Sequence, residues 1–413
     1  MEDHRRCRPP KLRWVFFLGT FGLFFLGDVF FKDFSYEKQE GNSLCETKTF
    51  FRGSDQEVDV YHLHGREAGP TVLIFAGIHG DESGGYLTAD RYADLKVLKG
   101  NLIVVPRLNL FAILARRRIG LSGQDMNRKF QLSEEGLDPD HKVVSLAKSL
   151  MDRADIILNL HQGYGFYSPI WVDHTRNPIR WGQCNVIDAP AFDLPNGRRL
   201  ELEHFAREVI RKINSEIMDK RYHFHVNNTH TSSESSLHKE QRLSLTYYAL
   251  TVKYKMAFGI EATKNCTLSQ AVSYLTISIN AIMESAGVVV EAFPSTSPEV
   301  IAKELKRNEE FKGLLVEIND DRKFILPHHE IHLTSGDRFE ILSVEAMHPR
   351  GWYPFLLGSK WYNDIGREFS IRQGGKLVLQ KDGKRIAVFP IRIKEDLSNE
   401  PVTGISISPG KES

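Results

Sequence analysis

Long apolar runs rich in β-branched residues alternate with amphipathic segments between about residues 46 and 290. Four of these runs predict strands that are buried on both faces: 71–77, 101–109, 155–161 and 255–261. Three amphipathic segments predict helices: 141–154, 202–218 and 267–285. Strands that alternate with helices in this way are typical of an α/β domain, in which helices flank a mostly parallel, twisted sheet.

The pattern changes after residue 290. Residues 299–308 predict one more helix, and short alternating runs then follow, broken by the turn sequences PRG, SGD and KDG. Such runs are typical of small antiparallel β structures. We therefore predict a domain over 46–290 that carries the chemistry, followed by two small β modules at 291–345 and 346–413.

The N-terminus pairs a basic stretch with an apolar one. HRRCRPPKLR (4–13) precedes WVFFLGTFGLFFLG (14–27), which predicts an export signal over residues 1–31 and a polar linker over 32–45. The apolar run is short for a spanning helix, which needs about 20 residues. No small-x-small cleavage sequence is evident, so a retained inner-membrane anchor is favoured over a cleaved signal peptide. Either alternative predicts that the rest of the chain lies outside the cytoplasm.

Composition excludes several classes of protein. The 413 residues carry a formal net charge of +1, which gives no electrostatic basis for binding nucleic acid. The four cysteines form no C-x-x-C pair, so they indicate neither a zinc ribbon nor a disulfide framework.

Chemically active side chains follow several predicted strands. His79 and Glu82 come just after the first apolar run, His161 ends the third, and Glu261 ends the fourth. In an open α/β sheet, ligands bind outside the carboxyl ends of the parallel strands. Two histidines and one carboxylate form a catalytic zinc site whose fourth position is open. We therefore predict one zinc ion per chain held by His79, Glu82 and His161, with Glu261 as the general base.

The connection after the second run contributes cationic residues. Arg128 offers a planar fork for a substrate carboxylate, and the neighbouring Asn127 can add a hydrogen bond. At least one of Arg116, Arg117 and Arg118 is expected to stabilise an oxyanion, and Arg118 is our choice for the substrate site. Each motif alone is more often a solvated turn, a helix cap or an ion pair. Their convergence on one sheet edge favours a site.

A family resemblance strengthens this interpretation. The segments GIHGDESGG, PRLN, GQDMNRKF, NLHQGYGFYSP, NPIRWGQ and GIEATK, in this order, resemble the peptidoglycan zinc carboxypeptidases that control cell shape in helical bacteria. The resemblance covers about residues 70–285 and implies a carboxypeptidase A-like fold, with a barrel-like and an immunoglobulin-like β module behind it. It implies a DL-carboxypeptidase that trims the peptidoglycan tripeptide to a dipeptide by removing the terminal diamino acid. In that family the first ligand position is often glutamine, where this chain has His79.

The resemblance also implies the setting. The substrate would be a peptidoglycan muropeptide, the location would be the periplasm, and the β modules could bind envelope morphogenesis proteins. A substrate-clamping tyrosine cannot be chosen among Tyr164, Tyr167, Tyr247 and Tyr248 from the sequence.

Two alternatives remain at the level of sequence. An aspartoacylase- or desuccinylase-like hydrolase of N-acyl amino acids uses a similar set of residues, and an inactive wall-binding scaffold would keep only the fold. A second histidine cluster, HHEIH (328–332), lies in a β-rich stretch where successive side chains point to opposite faces, so we interpret it as structural.

Overall fold

The computed structural model describes residues 44–132 and 138–394. The predicted signal segment, the linker up to residue 43 and the end of the second β module lie outside the described residues. Within the described ranges, no helix combines the length and apolar character needed to cross a membrane.

The described chain forms 21 strands, seven α-helices and three short 3₁₀ helices. The strands are β1 (Cys45–Phe50), β2 (Val58–His64), β3 (Glu67–Phe75), β4 (Val97–Val105), β5 (Ile156–Gly163), β6 (Phe166–Tyr167), β7 (Arg176–Asn177), β8 (Cys184–Ile187), β9 (Phe192–Asp193), β10 (Arg199–Leu200), β11 (His225–Asn228), β12 (Met256–Thr263), β13 (Val289–Val290), β14 (Phe311–Ile318), β15 (Asp321–Ile325), β16 (Ile331–Thr334), β17 (Asp337–Ala346), β18 (Trp352–Leu356), β19 (Glu368–Ile371), β20 (Gly375–Lys381) and β21 (Lys384–Lys394). The α-helices are α1 (Ser83–Asp90), α2 (Leu110–Leu114), α3 (His141–Met151), α4 (Leu202–Glu216), α5 (Leu245–Thr251), α6 (Leu268–Ala286) and α7 (Pro298–Asn308). The 3₁₀ helices are η1 (Met126–Arg128), η2 (Lys220–Tyr222) and η3 (Lys239–Leu243).

A nine-stranded sheet forms the centre of the first domain, in the order β1-β2-β4-β3-β5-β12-β8-β11, with β13 added beside β4. The central strands β4, β3, β5 and β12 run parallel, whereas β2 and β8 flank them antiparallel. The four predicted strands correspond to these four central strands. The predicted α/β fold with a mostly parallel central sheet is confirmed, as are its three predicted helices.

The sheet is buried on both faces, which explains the near-continuous apolar runs. Along β3, Val72 and Ile74 face the core covered by α1, α4 and α6, whereas Leu73 and Phe75 face the core covered by α3 and α5. Because neighbouring residues of a strand point to opposite faces, both sets must be apolar when helices cover both sides.

The β structure after residue 310 differs from the predicted pair of modules. Two four-stranded sheets form, in the orders β15-β14-β17-β19 and β16-β21-β20-β18, and each contains strands from both sides of residue 346. Leu314 and Phe339, from before that position, share one hydrophobic core with Leu377 and Phe389, from after it. The described residues 311–394 are therefore one β-sandwich, because long-range pairing crosses the predicted boundary.

The predicted start of the β region at residue 291 also shifts. Helix α7 lies after that point, yet it packs on the first domain, where Arg91 donates hydrogen bonds to Glu304 and to Thr276 of α6. The first domain thus extends through α7, and the sandwich begins at Phe311.

Candidate active site

Three predicted metal ligands meet at the carboxyl edge of the sheet. His79 lies in the turn after β3, Glu82 is the residue that precedes α1, and His161 lies on β5; all three side chains are buried. The two oxygens of Glu82 each lie 2.9 Å from a histidine Nδ1, that of His79 and that of His161. Their ligand atoms lie within 4.8 Å of one another.

This donor set fits a metal ion. Two imidazole nitrogens and a carboxylate converge in a buried position, and among the described residues they are the one group of His, Cys, Asp or Glu side chains that could hold an ion. The other predicted histidine cluster does not compete, because His328, His329 and His332 are exposed on the sandwich. A metal requires deprotonated ligands, so it would replace the hydrogen bonds that now join these groups.

Asp125 supports the ligand set, and sequence reasoning missed it. His79 donates through Nε2 to Asp125 Oδ1 over 2.9 Å, which leaves its Nδ1 for the ligand position. Burial alone would lower the pKa of His79, but the negative charges of Glu82 and Asp125 outweigh burial and raise it to about 9. The only signal in the sequence was an aspartate two residues before Asn127. A carboxylate behind a metal-binding histidine fixes its orientation and increases its basicity.

Glu261 stands beside the ligands. In the sheet it pairs with His161 on β5, and the parallel register carries both side chains to the same face. Burial, and then the negative charge of Glu82, raise the pKa of the Glu261 carboxyl well above its usual range. Because an ion at the adjacent site would add positive charge, it would favour the ionised form that a general base requires.

Of the three consecutive arginines, the structure brings only Arg118 to the ligands. Arg118 donates to Glu82 Oε1 over 3.2 Å and to Asp125 Oδ2 over 3.0 Å. Arg117 instead covers the ring of Phe111, and Arg116 packs beside Gly383 of the sandwich.

Asn127 and Arg128 lie on η1, which Asp125 caps by accepting a hydrogen bond from the Asn127 backbone. Asn127 is buried, and its side-chain oxygen accepts from the backbone of Leu245 over 3.0 Å. Within the described ranges, the one hydrogen bond from the Arg128 side chain goes to the Asn127 carbonyl. Its guanidinium therefore keeps donors for a substrate carboxylate.

All of the predicted site residues line one cavity of about 410 Å³. Its lining also includes Arg180, Trp181 and Lys264, and Tyr164 is the single member of the four candidate tyrosines that lines it. Tyr164 is 67% exposed, so it stands at the rim. The cavity thus joins a candidate metal-binding triad, the half-buried carboxylate of Glu261 and cationic groups in a space that suits a short anionic peptide.

A family model described as the catalytic domain of carboxypeptidases controlling helical cell shape matches residues 44–302, which is more than half of the chain. The chain belongs to this family. Membership of this family makes it a metallocarboxypeptidase, as the sequence predicted.

Solved structures agree on the fold. Structures of the cell shape determinant protein Csd4 from Helicobacter pylori, without ligand and with bound tripeptide, each match with a TM-score of 0.56 and 20% identity. Each match covers 82% of this chain and 100% of that chain. The mDAP-bound form of Csd4, described as a D,L-carboxypeptidase, matches with a TM-score of 0.54 and 21% identity over 79% of this chain and 97% of that one.

A curated relative is similar over a shorter region. N-alpha-acetyl-L-2,4-diaminobutyric acid deacetylase from Halomonas elongata is 30% identical over 136 residues, which are 32% of this chain. The match spans 40% of the length of that relative.

Proposed function

We propose that the protein is a zinc-dependent DL-carboxypeptidase that trims the tripeptide side chains of peptidoglycan to dipeptides and so affects cell shape. The observation that carries the proposal is the single cavity in which His79, Glu82 and His161 stand beside Glu261 and Arg128. The Csd4 structures with bound tripeptide and mDAP support the choice of a terminal diamino acid as the residue released.

Each side chain then has a role. His79, Glu82 and His161 would hold the zinc, which supplies a Lewis acid that polarises the scissile carbonyl and acidifies water. Glu261 takes the proton from the attacking water and passes it to the leaving amine. Arg128 and Asn127 hold the terminal carboxylate, and Arg118 donates to the oxygen on which negative charge develops.

The test is direct. The purified protein is incubated with muropeptides of defined stem length, with and without a chelator, and mass spectrometry identifies what leaves. We expect loss of one diamino acid from tripeptide stems, abolished by the chelator and restored by zinc. Release that continues in protein shown to be free of metal would count against the proposal.

The variant Glu261→Gln tests the assigned role of the general base. It should retain the metal, since Glu261 is not a ligand, and should lose turnover by roughly 100- to 10,000-fold. Glu309→Gln, which removes an exposed partner of Lys384, serves as the matched control and should remain active. Full activity in Glu261→Gln would contradict the assigned role.

The match to the Halomonas deacetylase favours a second candidate, a hydrolase of N-acyl amino acids. The same ligands and base could attack an acetyl amide. Incubation with N-acetylated diamino acids separates the two functions: release of acetate without trimming of any stem would select the second. An inactive scaffold would release neither product.

We further propose a periplasmic location, attached to the inner membrane by residues 1–31 or released after cleavage. The basic and apolar stretches at 4–27 support this proposal. The β-sandwich is a candidate surface for envelope morphogenesis proteins. Fractionation of cells tests the location, and recovery with the cytosol would contradict it.

A further inference from the structure

Two turns of the β-sandwich enter the first domain. They are the PRG turn (349–351), before β18, and the KDG turn (381–383), between β20 and β21. Each brings a charged side chain that is buried against the first domain, Arg350 at 6% exposure and Asp382 at 8%. Both turns therefore contact the first domain, in addition to reversing the direction of the chain.

Arg107 links the KDG turn to helix α1. This buried residue follows β4, and its guanidinium donates to Asp382 over 2.6 Å and to Asp90 over 2.7 Å. Asp90 is the last residue of α1, and the metal ligand Glu82 directly precedes the first. Arg350 also donates to Asp90, over 3.2 Å. The end of the helix that begins at a metal ligand is thus held by both sandwich turns.

Gly383 of the KDG turn lies against the end of α2. Its φ is +75°, and a Cβ added there would stand 2.6 Å from the Ile113 carbonyl oxygen and 2.7 Å from the Leu114 carbonyl oxygen. It would also meet the Arg116 side chain at 2.7 Å. The backbone of the KDG turn therefore packs directly on the last residues of α2, which the three arginines closely follow.

That segment leads to the metal site within four residues. The carbonyl of Arg117 accepts a hydrogen bond from the backbone of Gly80, next to His79, over 3.0 Å. Arg118 then donates to Glu82 and to Asp125. The contact at Gly383 is thus connected to the predicted metal ligands by the backbone up to Arg118 and by the hydrogen bonds that Arg117 and Arg118 make.

We propose that the KDG turn of the β-sandwich is a positioning element of the active site, which sets the place of Arg118 through the end of α2. The inference rests on the proposed function, because it assigns Arg118 a role in turnover. Asp382 and Gly383 are not among the residues that line the cavity, so the sandwich acts on the reaction through the orientation of one arginine.

The test uses a matched pair of glycine variants in the full chain. Gly383→Ala introduces a Cβ against α2, whereas Gly336→Ala introduces one at φ +93° in another sandwich turn with nothing within 4 Å. Both carry a similar backbone strain. We expect kcat to fall by about tenfold or more in Gly383→Ala, with KM nearly unchanged, because a small displacement of a catalytic group has a large effect. Gly336→Ala should keep the wild-type kcat.

A double-mutant cycle with Arg118→Ala separates positioning from general damage. If the turn acts through Arg118, Gly383→Ala should reduce kcat no further in the Arg118→Ala background. Losses that multiply, or equal kcat values in the two glycine variants, would overturn the proposal. If Gly383→Ala does not fold, Asp382→Asn replaces it, with Asp320→Asn, at an exposed ion pair with Arg338, as its control.

Hydrogen exchange provides a readout that needs no activity. Amides of residues 110–118 should exchange faster in Gly383→Ala than in Gly336→Ala, and unchanged exchange would contradict the inference. A wild-type protein that released no amino acid would count against the proposed function alone, and the exchange result would still decide this inference.

Discussion

At the candidate metal site, Asp125 determines which nitrogen of His79 faces the other predicted ligands. The Nε2–H donates to Asp125, so Nδ1 points at Glu82. The sequence predicted His79 as a ligand from its distance to Glu82, but the nitrogen it uses depends on a residue 46 positions further along the chain. A carboxylate that orients a metal-binding histidine can lie far from it in the sequence, so the pair is recognised only in the folded site.

Replacing Asp125 should weaken the metal site without removing a ligand. In Asp125→Asn we expect the affinity for zinc to fall by roughly 10- to 100-fold, because the histidine loses basicity and orientation. Competition with a chromophoric chelator measures the affinity. Asp320→Asn is the control, and equal affinities in both variants would show that Asp125 has no such role.

The three consecutive arginines differ in their contacts in a way that the sequence does not show. The sequence presented Arg116, Arg117 and Arg118 as three neighbouring cations with no means of ranking them beyond our choice of Arg118. Arg116 adopts a φ of +52°, which turns the chain at the end of α2 and sends the third arginine to Glu82. A run of three identical residues does not indicate which of them reaches Glu82.

Among the elements, the turn between β3 and α1 packs tightly against α2. Gly80 lies so close to α2 that an added Cβ would stand 2.0 Å from the carbonyl of Ala112. The glycine of the HGDE sequence is therefore required by packing, and it lets the turn that carries His79 and Glu82 approach the helix behind it.

Gly80→Ala should displace that turn. We expect turnover to fall by roughly 100-fold, since shifts of about 1 Å in a catalytic constellation have effects of that size. Kinetics on the muropeptide substrate measure the change. Gly375→Ala, where nothing lies within 4 Å, is the control and should match the wild type. Wild-type turnover in Gly80→Ala would show that the turn tolerates the displacement.

For the whole molecule, the β-sandwich and the first domain also meet at the loop between β1 and β2. Asp55 accepts a hydrogen bond from the backbone of Tyr362 over 2.8 Å, and Arg367 donates to the carbonyl of Gly53. In the same loop, Glu57 accepts from the backbone of Gly53 over 2.6 Å. Burial, and then the charge of Asp59, raise the pKa of Glu57 from 4.5 to about 7.

This shift makes stability depend on pH. The folded protein keeps the proton of Glu57 up to about pH 7, whereas the unfolded chain releases it near 4.5. The stabilisation linked to this proton is complete below pH 4.5 and is lost as the pH rises to about 7. In Glu57→Gln, we therefore expect a higher free energy of unfolding than in the wild type at pH 8 and little difference at pH 4.5.

Denaturant unfolding at several pH values measures this dependence. Glu46→Gln, at an exposed pair with Lys48, is the control and should follow the wild type. A Glu57→Gln protein whose stability changes between pH 4.5 and 7 as steeply as that of the wild type would contradict the assignment.

The sequence by itself determined the α/β fold, its four central strands and the convergence of His79, Glu82, His161 and Glu261. These follow from local rules: apolar runs mark strands buried on both faces, and parallel strands end at one edge. Only the tertiary structure decided the support by Asp125, the contacts that separate Arg118 from Arg116 and Arg117, and the single β-sandwich. In that sandwich β16 pairs with β21, some 60 residues later. Such pairings depend on contacts between distant segments, and no local pattern of polar and apolar residues records them.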